Sequence, residues 1–251
     1  MSTSSFIDST HTISIDGMGN FLDNQIGIEG QFIMNANHHQ HRGSYASVSI
    51  SPPGSFSGWF DYYNYDKGLN INDLGYLWRD NYIQSKIGIK FQSLLPGEMI
   101  RDFYFILEGD AEQNSNGLDL GKTIQFITDI ELTNYWVIGG SYLKIFEHYD
   151  DRKIFYDYEK GMFGPEILIP EIDEYIFNIS TDKNSKINAS ISLVWAQNIL
   201  NDKERAQSIK ITYKPNPYLN LSTTYDRYRL NKKNQWIESL YDCYETGTNL
   251  A

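Results

Sequence analysis

The residues best equipped for chemistry are few. Residues 37–41, Asn-His-His-Gln-His, bring three imidazoles into one short tract. Clustered imidazoles are competent ligands for a transition metal. No carboxylate or Cys stands at ligand spacing beside them, so a solvated loop is the better reading. Asp66, Asn70, Asn72 and Asp73 offer the hard oxygens that Ca²⁺ takes, but they miss the spacing of a calcium loop. A structured loop in which Asp73 and Arg79 form an ion pair accounts for them better. Asp150 and Asp151 are adjacent acids of a kind common in acidic loops. The sequence contains no Gly-x-Ser-x-Gly, no His-Glu-x-x-His and no phosphate loop. The expectation is a protein without catalysis, cofactor or bound metal.

The elements that would position these groups are strands. In residues 186–197, Ile187, Ala189, Ile191, Leu193 and Trp195 alternate with Lys186, Asn188, Ser190 and Ser192. Successive β side chains point to opposite faces, so a period of two predicts a strand with one apolar and one polar face; a helix would mix the two sets. The same alternation recurs about every twenty residues, and we count about thirteen such segments. They are 10–16, 25–34, 44–51, 58–66, 82–92, 99–108, 122–132, 135–146, 174–180, 186–197, 206–214, 218–230 and a weakly patterned 235–244. Gly17-Met18-Gly19-Asn20, Pro52-Pro53-Gly54, Leu95-Pro96-Gly97 and Thr133-Asn134 read as turns. Short connections alternate with longer ones, which places the turns at one end of an up-and-down sheet and the loops at the other. Asp61 and Asp102 sit among aromatics on both sides, so the faces of segments 58–66 and 99–108 stay unassigned.

Composition narrows the partners. Hydrophobic residues make up 41% and aromatics 15%, mostly 19 Tyr and 13 Phe, which suits strands and interfaces. A formal net charge of −11 opposes binding to nucleic-acid phosphates, which needs clustered Lys and Arg. The one cysteine, Cys243, has no partner for an intrachain disulfide and is read as a passive small residue. The first residues lack the charged and apolar regions of a secretory signal, and no apolar run is long enough for a membrane helix. The chain is therefore expected to be either a soluble protein or a β membrane protein whose true N-terminus lies upstream.

Period two does not say whether the apolar face meets a protein core or lipid. A soluble sandwich, or a closed lipocalin-like barrel, binding a glycan or lipid is one reading. Strand length, the asymmetry of turns and loops, and aromatics placed toward strand ends favour lipid. Trp136, Tyr142, Trp195, Tyr213 and Tyr225 are the candidate girdle residues, and Lys86, Lys90, Asp129, Glu131 and Lys186 would suit a watery, partly ion-paired lumen. We expect residues 1–251 to form one all-β domain: an antiparallel up-and-down transmembrane β-barrel of the outer-membrane type, of about 12–14 strands and cut short.

Residues 69–82, Leu-Asn-Ile-Asn-Asp-Leu-Gly-Tyr-Leu-Trp-Arg-Asp-Asn-Tyr, carry a resemblance. Asn72, Asp73, Leu74, Gly75 and Arg79 in that stretch, then Gly164-Pro165, Pro170, Ser180-Thr181-Asp182, 211–215 and Asn234-Gln235, fall in one order over roughly residues 20 to 240. In these the chain resembles the bacterial family called domain of unknown function 5916, a β-barrel region usually preceded by a carbohydrate-binding-like domain of family 9 type. The family's Arg-Gly-Gly-Pro corresponds to Met162-Phe163-Gly164-Pro165 here, without the arginine. The family also continues into further strands where this chain reaches Ala251. The resemblance implies an outer-membrane location in a Gram-negative bacterium and supplies no reaction. With the barrel reading it makes outer-membrane lipid the expected partner, with a small solute or glycan beside it and no nucleic acid.

Overall fold

The computed structural model describes residues 12–36, 40–69, 71, 77, 79–93, 95–157, 162–216 and 218–232. Among them every regular element is a strand. Eight long strands run in chain order: β1 (Thr12–Phe21), β2 (Ile26–Ala36), β3 (Gln40–Ile50), β4 (Phe56–Tyr65), β5 (Tyr82–Gln92), β6 (Ile100–Gln113), β7 (Asp119–Leu132) and β8 (Val137–Ile145). Four short ones follow, β9 (His148–Asp150), β10 (Phe155–Asp157), β11 (Met162–Phe163) and β12 (Ile167–Ile169). Four more long strands complete the set, β13 (Ile172–Ser180), β14 (Ile187–Asn198), β15 (Lys203–Asn216) and β16 (Leu219–Asn231). The twelve long strands form one antiparallel sheet in chain order, with β8 beside β13 and with β1 and β16 at its two edges. The short ones make two small ladders, β10 with β11 and β9 with β12, inside the connection from β8 to β13.

Alternation sets the faces and the registers keep them aligned. Ile191 faces Ile179 on one side and Ile209 on the other, and Ile209 faces Tyr225. Phe60 lies between Val48 and Ile87 in the same way. The polar face carries Ser192 opposite Ser208, Asp61 opposite Lys86 and Tyr104 opposite Asp129. Asp61 thus lies on the polar face although tyrosines surround it, because Tyr45 and Tyr63 stack on that face at 4.8 Å. Asp102 sits beside a register shift in β6, which the period-two pattern cannot anticipate.

Two expectations need correction. Gly17-Met18-Gly19-Asn20 is not a turn: Gly17 and Gly19 pair with Gly30 and Ile28 in the β1–β2 ladder. The turn comes later, at Leu22, Asp23 and Asn24, whose φ values of 52°, 54° and 66° place three residues in succession in the left-handed region. Nor do longer connections alternate with short ones throughout. The end that carries connections 66–81 and 146–171 also carries 114–118 and 199–202, which are as short as the turns opposite. Two loops account for the asymmetry. Twelve of the segments read from the sequence match long strands, and the thirteenth, 235–244, lies outside the described residues.

Candidate functional site

The apolar face has no covering layer among the described residues. Ile15, Ile28, Val48, Phe60, Ile89, Leu107, Phe126, Phe177 and Ile211 all project from it and remain exposed. The only buried hydrophobic side chains among the described residues are Ile33, Leu69, Tyr82 and Leu120. Soluble monomers rarely expose a contiguous apolar patch of more than a few hundred Å². Burial of an Ile or Phe side chain contributes about 1.5–3 kcal/mol, and a whole domain is stable by only about 5–15 kcal/mol. An apolar face left uncovered across twelve strands would therefore forgo more than a domain's usual stability. Tyr142, Trp195, Tyr213 and Tyr225 stand on this face, and Trp136 lies in the β7–β8 connection. The polar face is hydrogen-bonded within itself: Lys86 pairs with Glu108 at 2.9 Å, and the Tyr104 hydroxyl donates to Asp129 at 2.6 Å.

The packed part of the molecule lies at one end, where the two long loops meet over the polar face. Arg79, from the connection 66–81, places Nη2 2.5 Å from Asp151 Oδ1 in the connection 146–171. The neighbouring residues pair in the opposite sense: Arg152 Nη2 lies 2.5 Å from Asp80 Oδ1 and also donates to the Asp80 carbonyl at 2.8 Å. Two adjacent pairs crossing between the same loops fix their relative position as well as their separation. Arg79 is buried, with its guanidinium over the Tyr82 ring at 5.9 Å, and Arg152 lies over the Phe163 ring at 5.2 Å.

The strands hold the latch from below. Asp66 accepts the Arg42 N–H with its carboxylate at 3.0 Å and donates its own N–H to the Arg42 carbonyl at 2.9 Å. The Asp66 carbonyl takes the N–H groups of Leu69 and Asn81 at 3.2 and 3.3 Å. Leu69 lies against Gly43, where an added Cβ would come within 2.8 Å of its Cδ2. Gly68, at φ +85°, turns its N–H toward Asp80 Oδ2 at 2.6 Å, a conformation that favours glycine. Asn81 Oδ1 accepts the Ser115 N–H at 3.0 Å, which ties in the β6–β7 connection.

Among the residues singled out from the sequence, Arg79 lies in one of these two loops and Gly164 in the other. Gly164 donates its N–H to the Ile154 carbonyl at 2.7 Å, and a Cβ at this position would meet the Ile154 side chain at 2.7 Å. Pro165 follows, leading toward β12. Asn72, Asp73, Leu74 and Gly75 lie outside the described residues, and so does the expected pairing of Asp73 with Arg79; the described partner of Arg79 is Asp151. Asn70, His38 and His39 lie outside them too. His41 stands in β3 with its ring against Gly68. The sequence pattern gave no weight to Asp151, named only as half of a common acid pair, and did not single out Asp80 or Arg152. The signal was present in the mirrored dipeptides Arg79-Asp80 and Asp151-Arg152, but local spacing does not show that they meet.

The arrangement can hold two loops together, and acid should release them. Burial alone would raise the Asp80 carboxyl, but the Gly68 N–H and the Arg152 guanidinium outweigh it and hold the group below its ordinary value. A carboxyl depressed on folding adds stability that is complete above its unfolded pKa of about 3.9 and is lost as pH falls through the lower folded value. Protection from hydrogen exchange at the described residues of 66–81 and 146–171, taken relative to the intrinsic rate at each pH, should therefore persist at pH 5 and fall only below about pH 4. Loop opening that begins above pH 5 would contradict this.

The family model described as Domain of unknown function (DUF5916) matches residues 12–248. No curated protein and no solved structure matches the chain.

Proposed function

We propose that this chain, which belongs to the family described as domain of unknown function 5916, is an outer-membrane β-barrel protein of a Gram-negative bacterium. It would serve in transport, surface binding or the membrane anchoring of an attached domain, and perform no catalysis. The observation that carries this reading is the exposed apolar face, which has no second layer over it among the described residues. A bilayer is the apolar medium that covers such a face without any further protein. The strands of the large sheet run from nine to fourteen residues, and about 9–11 residues tilted by about 45° cross a hydrocarbon core. Backbone groups in lipid must also be satisfied by neighbouring strands, which favours a closed sheet over an open one. The polar face then lines the interior, where Lys86, Glu108, Tyr104 and Asp129 find partners or water, and a small solute or glycan would meet them. The latch stands at the mouth where the long loops are, the extracellular side of such barrels.

Extraction tests this directly. The protein should need detergent to stay in solution, show mostly β circular dichroism, and migrate faster on a gel unboiled than boiled. A monomer that stays soluble without detergent would overturn the reading and return the apolar face to a soluble glycan- or lipid-binding module.

A further inference from the structure

The apolar face does not stay apolar to the end of its last strands. Toward the end that carries the long loops, Lys203 and Arg205 of β15 and Arg227 and Arg229 of β16 share that face. Arg205 and Arg229 are direct cross-strand partners, and Arg227 lies opposite Gln207 beside them. Like charges set opposite one another in a ladder are destabilising unless something of opposite sign stands between them. The strands supply no such group: on this face β14, β15 and β16 carry no carboxylate. The nearest one, Asp173 of β13, lies 3.6 Å from Lys144 and accepts the Tyr142 hydroxyl at 2.7 Å. Glu204 and Asp226 project to the opposite face. Four cations gathered in this way depart from a chain whose net charge is −11.

Their surroundings point to an amphiphile. Trp195 pairs with Arg205 on one side and Tyr175 on the other. Asp173, Tyr175, Trp195, Gln197, Lys203 and Arg205 line an open hollow of about 240 Å³. Farther down the same strands the face becomes Leu193, Ile191 and Ile209. A ligand lying here would meet cations, then aromatic rings, then aliphatic side chains. We propose that this corner binds the phosphate-bearing headgroup of an anionic lipid in the leaflet at the long-loop end, with its acyl chains along β14 and β15. Arg is the side chain suited to the task, because its fork of N–H groups matches phosphate oxygens bidentately and aromatic rings hold the neighbouring interface. The assignment rests on the membrane reading above, since the hollow opens on the face assigned to lipid.

Native mass spectrometry of the protein released from detergent micelles supplies the test, with phosphatidylglycerol as the anionic probe, phosphatidylcholine as the neutral one and inorganic phosphate as competitor. The parent protein should retain phosphatidylglycerol in preference to phosphatidylcholine. The triple variant Arg205→Gln, Arg227→Gln, Arg229→Gln should lose that retention by at least about tenfold, since each charge-assisted bond to phosphate is among the stronger ones. These side chains are exposed, so the variant is expected to fold. Lys210→Gln, on the opposite face of β15, should change nothing. Equal retention in parent and triple variant overturns the site, and displacement by millimolar inorganic phosphate overturns the lipid in favour of a soluble anion. A chain that needs detergent yet holds both lipids alike defeats this site alone, whereas one soluble without detergent defeats the membrane reading as well.

Discussion

Ile191→Arg is expected to destabilise the folded protein by about 2–4 kcal/mol, the cost of a cation on the lipid face near the bilayer midplane. Ile191 lies in the middle of β14 with Ile179 and Ile209 as its cross-strand neighbours, so an arginine there finds neither a carboxylate nor a route to the interface shorter than half the strand. The control belongs on the opposite face. Alternation alone offers Ser190, but Ser190 faces Lys210, and a second cation there would add its own repulsion. Ser192, between Asn178 and Ser208, is the cleaner position, and Ser192→Arg should cost well under 1 kcal/mol if that face is wet. Depth separates lipid from a protein core. Ile187→Arg, at the first residue of the same strand and on the same face, should cost only about 0–1 kcal/mol in a membrane. Urea unfolding in phospholipid vesicles, read by gel mobility, measures all three. Equal costs at Ile191 and Ser192 would leave β14 without a lipid face.

The strands were readable because alternation is a local property that the sheet preserves. Residues 82–92 read as a strand, and β5 is Tyr82–Gln92; residues 186–197 read as another, and β14 is Ile187–Asn198. Alternation misled where glycines stood within a strand. Gly17 and Gly19 resemble turn residues in the sequence, yet they occupy ladder positions, while the turn is made by Leu22, Asp23 and Asn24. Faces could not be assigned where tyrosines occupy both sides, as around Asp61, because a tyrosine is at home against either lipid or water. The latch was only partly readable. Arg79 and Gly164 stood out through family resemblance, and an up-and-down sheet already puts both long loops at one end, but Asp151 lies 72 residues from Arg79, and only the folded loops show that these two side chains meet. The cationic corner was missed for a related reason. Lys203, Arg205, Arg227 and Arg229 sit on two strands, and only the β15–β16 register makes Arg205 and Arg229 neighbours.

The two crossed ion pairs should respond unequally to mutation, and the difference tests whether burial or charge alone holds the loops. Arg79 and Asp151 have side chains only 9% and 16% exposed, whereas Arg152 and Asp80 are 26% and 28% exposed. Asp151→Ala leaves the Arg79 guanidinium buried with its charge unmatched, a loss of about 3–5 kcal/mol. Arg152→Ala exposes Asp80 to solvent that can take over its hydrogen bonds, so about 1 kcal/mol is expected. Replacing both members of the inner pair, Arg79→Met with Asp151→Leu, should be milder than Asp151→Ala alone, because no stranded charge remains. Hydrogen exchange across 66–81 and 146–171 measures the opening of the loops apart from unfolding of the sheet. The order Asp151→Ala, then the double variant, then Arg152→Ala is expected from the most to the least opened. Equal opening in Asp151→Ala and Arg152→Ala would mean that burial of Arg79 contributes nothing to holding the loops together.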